Sequence, residues 1–191
     1  AVNNIIKRIQ NIMRQDAGIN GDAQRIEQMT WMFFLKVYDT QEETWEYKDE
    51  NYKSIIPEDL RWRKWAVDEK DGEALTGEAL LSFVNEKLFP TLKNLPIDAN
   101  TPRAKSIVLE TFADLNQYMK NGTLLRQVVN IVNEIEFDDA DDRHTFGDIY
   151  EGILKDLQSA GNAGEFYTPR ALTDFIVMML DPVSYTHLTL P

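Results

Sequence analysis

The stretch from Met29 to Tyr38 restricts the possible folds of this chain more than any other. Met29, Trp31, Met32, Phe33, Phe34, Leu35, Val37 and Tyr38 leave almost no polar face over about three helical turns. A half-buried strand would alternate apolar and polar residues, and this run does not. It sits inside a longer helical pattern from Ala23 to about Trp45. A helix that is apolar on all sides must be surrounded by other helices. The expectation is therefore an all-α bundle with this helix at its centre. With 191 residues, 43% of them hydrophobic, the chain can fill one such core but not two full domains.

The flanking sequence supplies the partners. Val2, Ile5, Ile6, Ile9, Ile12 and Met13 recur at three- and four-residue intervals, which predicts a first amphipathic helix ended by Asn20-Gly21-Asp22. Polar residues 47–57 end at Pro57 and read as a loop, after which Pro57-Glu58-Asp59-Leu60 opens a short helix through Trp65. Leu80, Leu81, Phe83, Val84, Leu88 and Phe89 mark another helix, which Pro90 is expected to end or kink. Thr101-Pro102 reads as a cap with proline at the first helical position, ahead of Ile107, Val108, Phe112 and Leu115. After the break at Asn121-Gly122-Thr123, a stripe runs from Leu124 to Ile135. A last delivering helix carries Ile149, Tyr150, Ile153, Leu154 and Leu157, with Thr145 and Asp148 forming a capping box at its start. No strand pattern of useful length and no internal repeat interrupts this series.

Charge and composition exclude several functions. The net charge of −12 repels phosphate, so the isolated chain should bind nucleic acid poorly unless other domains or subunits supply the contacts. Without cysteine there is no disulfide or thiolate metal site, and His144 and His187 belong to no metal-binding pattern. The acidic run Asp138-Asp139-Ala140-Asp141-Asp142 lacks the glycine and terminal glutamate of a calcium loop. No metal ligands and no catalytic residues are expected. Glu42, Glu43 and Glu46 read as a solvated acidic face rather than as groups with shifted acidity. Arg61-Trp62-Arg63-Lys64-Trp65 has two readings: a phosphate or partner contact, or a short helix burying its tryptophans under snorkelling arginines. The second is favoured. No apolar run is long enough to span a membrane and no leader is visible, so a cytoplasmic location with no membrane contact is expected.

The polar loop Ser159-Ala160-Gly161-Asn162-Ala163 leads into Gly164-Glu165-Phe166-Tyr167-Thr168-Pro169-Arg170, and then into the apolar helix pattern Ala171-Leu172-Phe175-Ile176-Met179-Leu180. The glycines allow a tight turn, and Thr168-Pro169 reads as a helix start. Locally, this is either a plain cap or one edge of a pocket for a small anionic or zwitterionic ligand.

Gly164–Arg170 resembles the segment that opens the S-adenosylmethionine-binding domain of N6-adenine DNA methyltransferases. The longer run Gly147-Asp148-Ile149-Tyr150-Glu151-Gly152-Ile153-Leu154, followed by Ala163 to Arg170, resembles the modification subunit of type I restriction-modification systems. Gln24 to Lys36 and Leu60-Arg61-Trp62-Arg63-Lys64-Trp65-Ala66 are similar to the N-terminal helical domain of that subunit. The resemblance implies an N-terminal helical domain over residues 1–158 and the start of the cofactor-binding domain over 159–182. Glu165, Phe166, Tyr167, Thr168, Pro169 and Arg170 would line the S-adenosylmethionine site of the intact subunit. Thr168 would lie near the methionine end, and Phe166 and Tyr167 would offer aromatic packing. The implied partners are the specificity subunit, the restriction subunit and, in the assembled enzyme, DNA.

The family's glycine-rich cofactor loop and Asn-Pro-Pro-aromatic motif are absent from these 191 residues. The chain is therefore expected to stop short of a Rossmann-like methyltransferase domain. Residues 183–191 depart from the family pattern and read as a non-native tail. On this reading the chain alone is inactive. The alternative is a free-standing helical interaction module with no cofactor role.

Overall fold

A computed structural model describes residues 2–70 and 72–137, and beyond them residues 141, 144, 145, 147, 148 and 151. Among the described residues the fold is helical, with no strand. In chain order come α1 (Val2–Met13), α2 (Gly21–Lys48), a 3-10 turn (Glu58–Leu60), α3 (Trp62–Trp65) and α4 (Gly77–Ser82). A π-helical segment (Phe83–Leu88), α5 (Phe89–Lys93), α6 (Arg103–Ala113) and α7 (Gly122–Val132) follow. Of the expected helix over 149–157 only residue 151 is described, and the loop and helix of residues 159–180 lie outside the described residues.

The 28-residue α2 is the longest element, about 42 Å at the usual rise per residue. Its middle is dry on every side, as the sequence predicts: Trp31, Met32, Phe33, Phe34 and Tyr38 are all 0% exposed. α3 and α7 contact it directly, α1 and α4 pack on α7, and α5 packs on α6. An aromatic chain crosses these boundaries. Trp31 meets Phe89 edge-on at 5.1 Å and stacks with Trp65 at 6.4 Å. Phe89 meets Phe112 at 5.2 Å, and Phe112 meets Phe34 at 6.1 Å. Each such pair contributes about 0.5–1.5 kcal/mol beyond area burial, so the network fixes the order of the bundle as well as its bulk.

Loops are tied by buried polar groups. Asp16, 3% exposed, accepts from the backbone N–H groups of Gly18, Lys120 and Asn121, joining the α1–α2 turn to the start of α7. Gln28 reaches from α2 to the α6–α7 connection, donating to Gln117 Oε1 at 2.8 Å and accepting from the Tyr118 N–H at 2.7 Å. Backbone groups that would otherwise be buried without partners are thereby satisfied.

Two expected helix boundaries differ. Pro90 does not end its helix, which runs on to Lys93. The ladder widens ahead of it instead, with the Phe89 N–H bonding the carbonyl of Val84, five residues back. Proline has no N–H to give and its ring crowds the carbonyl four residues earlier, and a π turn relieves both problems without breaking the rod. Thr101 does not cap α6. Its hydroxyl accepts from the Asp98 N–H at 2.9 Å, and Pro102 stands at the cap position. Asn121 is a true cap, accepting from the Leu124 N–H at 3.0 Å.

The starts of α4 and α7 touch through backbone. A Cβ placed on Gly122 would lie 1.8 Å from the Gly77 carbonyl oxygen, so no side chain fits there. Gly77 itself has φ +58°. Substituting Gly122→Ala should push α4 away from α7 and lower the unfolding free energy by about 1–3 kcal/mol, the usual range for overpacking. Urea denaturation followed by tryptophan fluorescence measures this, and Thr123→Ala next door should stay within about 0.5 kcal/mol of the parent.

Candidate functional site

The six residues expected to line a cofactor pocket, Glu165 to Arg170, lie outside the described residues. Within the described part, the main concentration of charge forms between two segments that the sequence reading kept separate. These are the acidic end of α2 and the Arg61–Trp65 run.

Asp39, Glu42 and Glu46 occupy one face of α2, at spacings of three and four residues. Glu42, Glu43 and Glu46 were expected to be solvated, and Glu43 is exposed. Glu42, however, is 0% exposed and Asp39 7% exposed, because residues 52–65 fold back across them. Arg61, 6% exposed, donates to Glu46 Oε1 at 2.5 Å and to Glu58 Oε2 at 3.2 Å, and its Nε faces Glu42 Oε1 across 3.7 Å. Arg63 donates to Asp39 Oδ1 at 2.9 Å and to Glu46 Oε2 at 3.0 Å. Glu46 thus bridges two guanidinium groups. The Tyr52 hydroxyl donates to the other oxygen of Glu42 at 2.5 Å.

The favoured reading of Arg61–Trp65 holds for the tryptophans and fails for the arginines. Trp62 and Trp65 are buried, with their indole N–H groups donating to Asn133 Oδ1 at 2.8 Å and to the Leu60 carbonyl at 3.1 Å. Arg61 and Arg63 do not snorkel to water; they turn inward onto carboxylates. Arginine suits this because its planar fork serves several oxygens at once. The end of α3 is closed from α7, where Arg126 donates to the carbonyls of Trp65 and Ala66 and Asn133 donates to that of Ala66.

Acidities follow the burial. Desolvation raises the Glu42 and Asp39 carboxyls above their ordinary values, and hydrogen bonds from Tyr52 and Arg63 only partly offset it. Partial burial works to raise Glu46 too, but its two arginine hydrogen bonds win and hold it low. The hydrogen bond from Arg61 also keeps Glu58 low. Burial and the neighbouring Glu42 push the Tyr52 hydroxyl well above the usual phenol range. With every carboxylate engaged by a cation or hydroxyl, the cluster works as a brace rather than as general acid–base machinery. No group of residues suited to hold a metal occurs among the described residues.

Beside the brace lies an open groove of about 380 Å³, floored by Trp65, Val67, Leu75 and Phe83 and edged by lysines and acids. Its rim charges largely pair among themselves, Lys87 with Asp59 and Lys70 with Glu73. No described helix is long and apolar enough to cross a membrane.

Comparison with known proteins places this geometry in context. The family model for the HsdM N-terminal domain matches residues 2–132, and that for the N-6 DNA methylase matches residues 141–189. The chain is 57% identical over 184 residues to the type I restriction enzyme EcoEI methylase subunit of Escherichia coli, covering 95% of this chain and 36% of that protein. The StySPI methylase subunit of Salmonella potsdam is 26% identical over 132 residues, covering 66% of this chain and 22% of that protein. The chain therefore spans about a third or less of these relatives. Among solved structures, the modification subunit of a proposed type I restriction enzyme from Vibrio vulnificus YJ016 superposes with a TM-score of 0.71 at 34% identity, over 94% of this chain and 40% of that one. A chain from a structural study of assembly and conformational transition in the type I restriction-modification system gives 0.70 at 35% identity, over 94% of this chain and 35% of that one.

The opposed acidities give a pH dependence with a definite sign. Asp39 and Glu42 are raised in the fold, so their contribution to stability grows as pH falls from neutral through the raised values toward the ordinary carboxylate range. Glu46 and Glu58 are lowered, so their contribution is lost as pH falls from that range through the lowered values. The melting temperature should therefore peak in mild acid, and Glu42→Gln should flatten its rise between neutral pH and that peak. Arg61→Ala, which leaves Glu42 buried without its cation, should cost about 3–5 kcal/mol at neutral pH. Calorimetry across a pH series checks both.

Proposed function

The chain belongs to the HsdM N-terminal domain family, and from that membership we propose that it is the helical lead-in of a type I restriction-modification methylase subunit. The intact subunit, with its specificity subunit, would transfer a methyl group from S-adenosylmethionine to adenine N6. The observation that carries this reading is the order of the two family matches: a helical domain over 2–132 and the opening of an N-6 methylase over 141–189.

In this proposal residues 1–158 form the helical domain and 159–182 begin the cofactor domain. Glu165 to Arg170 form one edge of the S-adenosylmethionine site. Thr168 and adjacent backbone groups sit at the methionine end of the cofactor, where a helix N-terminus favours a carboxylate. Phe166 and Tyr167 pack against the cofactor, and Arg170 pairs with an acidic group. Methylating a base also requires flipping it from the stack and holding its amino group on polar acceptors. The family's Asn-Pro-Pro-aromatic motif would supply these acceptors, and these 191 residues do not contain it. The chain by itself should therefore be inactive.

The helical domain supports assembly with the specificity and restriction subunits, and the brace gives it the stiffness to do so. Arg61 and Arg63 lie within one of the segments similar to the family and are spent on internal carboxylates. That use favours a structural role for the segment over a direct phosphate contact.

Transfer of a radiolabelled methyl group to adenine in duplex DNA tests the reading. The 191-residue chain should show no turnover. A polypeptide carrying a methylase continuation, mixed with a specificity subunit, should methylate. Within that longer protein, Tyr167→Ala should weaken S-adenosylmethionine binding by roughly tenfold, the loss of one aromatic contact. Turnover by the short chain, or unchanged cofactor affinity in the variant, would contradict the assignment.

A further inference from the structure

The chain carries 32 acidic residues against 20 basic ones, yet α1 and α7 contain no acid at all. The two helices pack together. Asn3, Asn4, Lys7, Arg8 and Asn11 are exposed along α1 at three- and four-residue spacing, and exposed Arg14 and Gln15 extend the same stripe. Every group on it is a cation or an amide. Exposed Lys120 lies at its far end, where its backbone N–H bonds Asp16 Oδ1 at 3.0 Å.

Nearby carboxylates leave most of this charge available. Glu134 pairs with Arg8 at 2.6 Å. Asp16 is buried and occupied with backbone N–H groups. Among the described residues, Lys7, Arg14 and Lys120 have no carboxylate partner. The Arg14 guanidinium donates to Asn11 Oδ1, at 2.9 Å.

We propose that the exposed stripe of α1 is a contact surface for the phosphate backbone of duplex DNA. Phosphate and sugar oxygens accept hydrogen bonds from lysine, from arginine and from the amides of asparagine and glutamine, so every group on the stripe can contribute a contact. From Asn3 to Gln15 the stripe runs about 18 Å, longer than the roughly 12 Å width of a major groove, so it can touch phosphates on both sides. The net acidic charge of the chain disfavours other approaches and so helps to orient DNA toward this face. The choice of DNA among polyanions rests on the methylase reading above; the acid-free stripe does not.

The test is the anisotropy of a fluorescent duplex of about 30 base pairs titrated with the 191-residue chain, at salt from roughly 20 to 200 mM. The parent should bind weakly at low salt and release the duplex as salt rises. The Lys7→Glu/Arg14→Glu variant should lose at least about tenfold in affinity, and its salt slope should fall by about 2, one for each phosphate contact removed. Lys64→Glu/Lys70→Glu makes the same charge change on another face and should stay within about twofold of the parent. Circular dichroism and melting establish that each variant is folded, and Lys7→Gln/Arg14→Gln gives a milder version with an intermediate loss. Failure of the parent to bind, equal loss in both charge reversals, or displacement by poly-glutamate as effective as by unlabelled DNA would each overturn the proposal. Because the readout is binding and not methyl transfer, these failures leave the methylase reading untouched.

Discussion

The removal of water from every side of α2 is the constraint on which the rest of this fold depends. A lone helix of this sequence would expose Trp31, Phe33, Phe34 and Tyr38 together, at a cost of about 1.5–3 kcal/mol for each large side chain left in water. No single neighbour can cover such a cylinder. α3, α5, α6 and α7 have to reach it from different directions, and the ring contacts from Trp65, Phe89 and Phe112 record where some of them arrive.

The brace follows from the same constraint. Toward its C-terminal end α2 turns acidic, and a bundle that wraps it must also enclose carboxylates. Arg61 and Arg63 make this possible by meeting Asp39, Glu42 and Glu46 as the chain folds back. Ion pairs taken out of water rarely add net stability, because desolvation consumes most of the attraction. What such pairs supply is geometry. A segment held by several forked contacts has one seating, whereas the apolar contacts beside it would tolerate several.

Local patterns were the legible part of the sequence. The apolar run of α2, the stripe of α1 and the break that precedes α7 each follow from spacing or from helix-breaking residues, and each is found. What stayed hidden depended on partners distant in sequence. Glu42 reads as solvated because its own helix gives no reason to bury it; the reason is Arg61, 19 residues later. The spacing of Asp39, Glu42 and Glu46 on one face was a usable clue, as was the interleaving of arginine with tryptophan, but neither names the other. Pro90 misled because a π turn is a rare answer to a common problem. The cofactor segment is a different case, since it was read from family resemblance, and the fold described here neither adds to it nor takes from it.

Residues 67–76 illustrate a further consequence of how α7 is used. The chain enters this loop at Ala66, whose carbonyl is held by Arg126 and Asn133, and leaves it at Gly77, which abuts Gly122. Both ends are thus moored to a single helix, and their separation does not depend on what lies between them. Doubling the length of a loop with fixed ends adds only about 0.6 kcal/mol of closure entropy. This stretch is accordingly the natural place to splice in a peptide tag or reporter without disturbing the bundle, and a place where evolution can lengthen the molecule cheaply.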